Sequence, residues 1–62
     1  MDSIEWIDKE IKHYRDELTR YNQTIQYCKN YNLSAEAIIN AKEEAEDKIK
    51  HLTIIRAELL KD

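Results

Sequence analysis

Two histidines, one cysteine and scattered carboxylates are the residues of this 62-residue chain whose types could do chemistry. His13 and His51 have Glu10, Glu17 and Asp47 within a helical turn of one or the other, and imidazole with carboxylate is a zinc-type donor set. The periodicity described below puts His13 on an outer face and His51 on a flank, so the two need not converge. With a single thiol the common closed Cys/His sets are out of reach as well. No metal and no cofactor is expected. Cys28 ends an apolar stripe with no base placed to activate it, and it reads as a small buried hydrophobe. Phosphate loops and dinucleotide fingerprints need glycines, and the chain has none. No catalytic residue is assigned, and the chain is expected to act by contact rather than as an enzyme.

The elements that must position these side chains are helices. Gly, Pro and Phe are absent, and Ile, Leu, Ala, Glu, Lys and Asp dominate, a helical composition. Ile4, Ile7, Ile11, Tyr14, Leu18, Tyr21, Ile25 and Cys28 recur in alternating steps of three and four, a strict heptad seam. Continuing that seam would bring Lys42, Glu46 and Arg56 into the core. A second stripe starts out of register instead, through Ile38, Ala41, Ala45, Ile49, Leu52, Ile55 and Leu59. Between them lies Asn30-Tyr31-Asn32-Leu33-Ser34, rich in residues that tolerate left-handed or capping conformations.

The expected fold class is all-α, one two-helix antiparallel hairpin of coiled-coil type, with helices over about 3–30 and 35–61 and a turn over about 31–34. Asp2 is expected to cap the first helix with Glu5 completing a capping box and Met1 packing on Trp6. Ser34 is expected to cap the second, with Leu33 stapled onto Ile38. Facing residues of an antiparallel pair have numbers with a constant sum. Ile4 with Leu59, Ile11 with Leu52, Tyr14 with Ile49, Leu18 with Ala45, and Ile25 with Ile38 all satisfy it. Ile7 with Ile55 and Tyr21 with Ala41 miss by one. Bulky Leu18 and Tyr21 thereby meet small Ala45 and Ala41, as close packing requires. The same register sets Asp8 beside Arg56.

A chain this short hides only about 60% of its unfolded surface on folding. One cysteine excludes an internal disulfide, which leaves regular packing and oligomerisation as sources of stability. The hairpin is expected to dimerise into a four-helix bundle. The N-terminal residues carry neither a basic patch nor an apolar run, and no stretch approaches the ~20 apolar residues of a membrane span, so a cytoplasmic protein without membrane contact is expected. The triplets Asn22-Gln23-Thr24 and Asn32-Leu33-Ser34 are then chance matches to a glycosylation signal.

Charge sorts to two flanks: Glu10, Glu17, Glu44 and Glu58 on one, Arg15, Lys29, Lys42 and Arg56 on the other. Trp6, Tyr27, Ile39, Ile54 and Leu60 have no place in the seam. Trp6, Ile54 and Leu60, beside Ile7, Ile55 and Leu59, are expected to form an interface with another chain, because Trp is a frequent anchor of interface energy. A net charge of −3 argues against a nucleic-acid partner.

The stretch Lys42-Glu43-Glu44-Ala45-Glu46, within Asn32 to Ile49, resembles the second helix of the small sporulation phosphatases that dephosphorylate response regulators. Of their Ser-Gln-Glu-Leu-Asp hallmark it keeps the central Glu44 and lacks the Ser and Asp, so the activity is not carried over. In outline the chain is also similar to Rop-like hairpin dimers, which implies RNA binding across a bundle face, without a shared motif. The leading expectation is a small accessory protein, a regulator or inhibitor, that binds a larger protein partner through its helical faces as a homodimer. A Rop-like RNA binder and a phosphatase-like response-regulator modulator are the alternatives.

Overall fold

A computed structural model describes residues 2–61. Helix α1 spans Ser3–Asn30 and helix α2 spans Glu36–Leu59, and the two pack against each other as a hairpin. The rod measures 51 × 16 × 12 Å over its Cα atoms, one helix thick in its shortest direction. The expected packing of Met1 on Trp6 lies outside the described residues.

Asp2 caps α1 by accepting from the Ile4 N–H at 3.1 Å, which satisfies one of the free donors of the first turn. Glu5 makes no return bond to Asp2 among the described residues, so the cap acts without its box. At the other end Asn32 adopts a left-handed backbone, φ 55°. Its N–H donates to the Lys29 carbonyl at 3.4 Å, and the Leu33 N–H donates to the Cys28 carbonyl at 2.8 Å. These two bonds are the Schellman arrangement that closes a helix C-terminus, with Asn in the position glycine most often takes. Asn32→Val is therefore expected to cost roughly 1–2 kcal/mol in urea unfolding, whereas Asn32→Gly holds or gains stability. Equal midpoints for the two variants would show that the turn does not depend on this conformation.

Two local expectations are corrected. Ala35, not Ser34, occupies the cap position of α2 and makes no side-chain cap bond. The Ser34 hydroxyl accepts from the Glu36 N–H at a long 3.5 Å, because the chain needs one more residue to leave the left-handed turn before the helix can start. Leu33 stays half exposed, not covered by a staple onto Ile38.

Among the described residues four side chains are buried: Ile7, Ile11, Cys28 and Ala45. Ala45 is only 3% exposed, consistent with its place opposite Leu18. Asp8 Oδ1 and Arg56 Nε meet at 2.7 Å between the helices, which fixes the predicted register. Both side chains are partly solvated, so the pair marks alignment and contributes under ~1 kcal/mol.

Ile55 departs from the predicted seam: it is 48% exposed, while Arg56 is half-buried. A heptad drifts by about 20° per repeat on a straight helix, and over α2 the drift rolls the inward face from Ile55 towards Arg56. The open end of the hairpin is consequently less tightly closed than its middle, and Leu59 is half exposed too.

Candidate interaction surfaces

Ile55, turned out of the seam, joins residues of α1 around an open groove at the free end. Ser3, Trp6, Ile7, Ile55 and Leu59 line it, and its volume is about 470 Å³. Ile7 forms the floor at 3% exposure, and Trp6 forms a wall at 50%. Two residues expected in this group are elsewhere. Ile54 and Leu60 are half exposed and do not line the groove. Helical spacing places Ile54 on the outer face of α2 and Leu60 towards the opposite flank, so of the expected group it is Ile7, Ile55 and Leu59 that line a groove with Trp6.

Trp6 also borders a second groove that runs on towards the middle of the rod, lined by Glu10, Tyr14, Lys48, His51 and Leu52. The Lys48 ammonium stands 5.9 Å from the centre of the Tyr14 ring, within cation–π range. Glu17 is contacted by His13 Nε2 at 3.0 Å and accepts from the Tyr21 hydroxyl at 3.5 Å. This flank was expected to be acidic, and Glu10 and Glu17 are indeed half-buried on it. Lys48 and His51 interrupt it, which leaves alternating charge rather than a single sign. Both could have been anticipated, since the register that faces Tyr14 with Ile49 and Ile11 with Leu52 leaves Lys48 and His51 on the same side as Glu10. Glu44 is exposed, and Glu58 lies 3.6 Å from Lys61 at the surface.

On the other flank Arg15 and Arg56 border a groove with Lys12, Asp8, Ile11 and Thr53. Lys29 and Lys42 do not line it, so the expected basic strip is broken into an open-end cluster and two separate cations. Lys12 was missed by heptad bookkeeping, although its spacing to Arg15 puts it on the adjoining face. Asp8 offsets part of the positive charge through its contact with Arg56.

At the turn end Tyr27 and Tyr31 pack ring on ring, with centroids 4.6 Å apart, and both are more than half exposed. Ile39 is exposed nearby in sequence at the start of α2. The large apolar residues left in solvent are thus gathered at the two ends of the rod, with a charged middle.

Comparisons with family models, curated proteins and solved structures each return nothing similar to this chain. The reading of function therefore rests on the surfaces themselves. Among the described residues no three His, Cys, Asp or Glu side chains converge as a metal site, and no helix is long and apolar enough to cross a membrane. The hydroxyls of Thr19, Thr24 and Thr53 each donate to the carbonyl four residues back, at 3.2, 3.0 and 2.7 Å. Each bond holds the threonine rotamer against the preceding turn of its helix.

Proposed function

We propose that this chain is a non-catalytic regulatory protein that acts through its helical faces, pairing with a second copy into a four-helix bundle and binding a larger protein on the surfaces left outside. The observation that carries the reading is surplus surface. The chain exposes 5042 Å², whereas a compact protein of 7.5 kDa exposes roughly 4,200 Å². The excess, on the order of 800 Å², is about what one partner contributes to a stable interface. Its most apolar part is the Trp6 groove, where a half-exposed indole stands beside Ile55 and Leu59. Indole side chains set in such a groove commonly dominate contact energy, because they combine large apolar area with few rotatable bonds.

Substituting Trp6 by Ala tests this. The variant is expected to weaken self-association on the order of tenfold or more, measured by sedimentation, and to keep its helicity by circular dichroism. Trp6 contributes little to the four-residue core, so helix content should not follow the loss. Unchanged sedimentation would remove Trp6 from the interface.

The RNA-binding alternative has one observation in its favour, the cluster of Lys12, Arg15 and Arg56 around one groove. The Asp8 contact with Arg56 and the net charge of −3 work against it. Retention on RNA that falls steeply as salt rises would favour that reading over the first.

A further inference from the structure

We infer that the groove between Arg15 and Arg56 is a binding site for a phosphate monoester. Asp8, Ile11, Lys12, Arg15, Thr53 and Arg56 line it, and its volume is about 430 Å³. It is formed within one hairpin, so the site does not require the self-pairing proposed above. Two guanidinium groups reach it from opposite directions. Side chains of a helix tilt towards its N-terminus, and α1 and α2 run antiparallel, so Arg15 leans towards the open end of the rod while Arg56 leans towards the turn. They converge over Ile11 and Thr53, which are level with each other in the register that Asp8 and Arg56 set. The Arg56 Nε–H donates to Asp8 Oδ1 at 2.7 Å, which anchors that guanidinium across the groove. Its two amino groups make no hydrogen bond among the described residues.

Neither arginine has a carboxylate to answer it on its own helix. Of the ten Lys and Arg residues, only Arg15, Lys29 and Arg56 lack an Asp or Glu three or four positions away, the spacing at which helical neighbours pair. Two of those three line this groove, and Lys12 adds another cation beside them. Lys12 and Arg15 form no ion pair among the described residues. Three cations and the Asp8 carboxylate leave the groove with a net charge of +2, in a chain whose total is −3. A phosphate monoester carries about −1.5 to −2 near neutral pH and offers three strong acceptor oxygens. One such group matches the charge, and its oxygens suit the forked donors of an arginine. A nucleic-acid backbone carries one charge per phosphate and asks for cations spaced along a track. Lys29 and Lys42 stand outside the groove, so the cations here gather at a point. The Thr53 hydroxyl donates to the Ile49 carbonyl at 2.7 Å, which leaves recognition to the three charged side chains.

Inorganic phosphate titrated into the full chain at constant ionic strength, followed by the amide resonances of the groove residues, reads the site. The shifts are expected to saturate with a dissociation constant on the order of 1 mM, the strength of two or three charge-assisted hydrogen bonds in contact with solvent. Arg15→Gln weakens binding about tenfold. Lys29→Gln makes the same change of charge outside the groove and alters binding by less than about twofold. Both residues are exposed, so neither substitution disturbs the packing of the helices. Equal weakening in the two variants, or shifts that chloride reproduces at the same ionic strength, means counter-ion screening alone and overturns the site. Two further probes identify the source of the phosphate. A phosphoserine peptide that binds more tightly than free phosphate, when its unmodified form does not bind, places the monoester on a protein segment, and the reverse order places it on a small phosphate compound. A short RNA that binds more tightly than either, with the steep salt dependence of several phosphate contacts, overturns the monoester in favour of a polyanion.

Discussion

Replacing Ile11 by Ala is expected to cost about 2–5 kcal/mol, the usual range for emptying a buried aliphatic site. Ile11 is one of four buried side chains among the described residues, at 8% exposure, and lies on the seam facing α2. A domain of this length has on the order of 3–9 kcal/mol to lose in total, so the variant should be largely unfolded at concentrations where the parent is folded. Ile11→Val should lose only about 0.5–1.5 kcal/mol. Urea unfolding followed by circular dichroism reads both. If the two variants unfold at the same midpoint, Ile11 is not packed between the helices.

Ala45→Leu should also destabilise, by about 1–3 kcal/mol, although leucine is a good helix former and more apolar. The reason is space. Ala45 is buried where the register brings it opposite Leu18, and extra carbons there must push the helices apart or force strained rotamers. Ala57 is exposed on the same helix, and Ala57→Leu serves as the control, with an effect within about 0.5 kcal/mol. Equal effects at the two alanines would mean that the helices are not in close contact at Ala45.

The hairpin was legible in the sequence because several local signals agree: two apolar stripes out of register, a cluster of Asn residues between them, and facing positions that pair large with small. Asn32 takes the left-handed turn, and Asp8 meets Arg56, both as the pattern implies. The candidate surface was only partly legible. Periodicity assigned Ile55 to the seam, but the accumulated roll of α2 turns it out to Trp6 and brings Arg56 in. Lacking a place in the seam grouped Ile54 and Leu60 with Trp6, whereas their angles around α2 set them apart. Counting charge signs along a flank hid Lys48 and His51, although the register of the two stripes already sets them on the side of Glu10.

Those differences share a cause. The spacing of residues in sequence fixes which stripe is apolar, but the rotation of each helix about its own axis is set by packing, and small rotations decide which side chains stand at the edge. The edges are where this chain has its half-exposed aromatic and aliphatic groups, at Trp6, Ile55 and Leu59 on one end and at Tyr27 and Tyr31 on the other.

Sedimentation equilibrium of the unmodified chain, run across a range of concentrations, bears most directly on whether one hairpin suffices. A mass approaching twice 7.5 kDa, together with a thermal midpoint that rises with concentration, is the expected result. A mass of 7.5 kDa at every concentration, with cooperative unfolding at one fixed midpoint, would show a hairpin stable alone and would contradict the account.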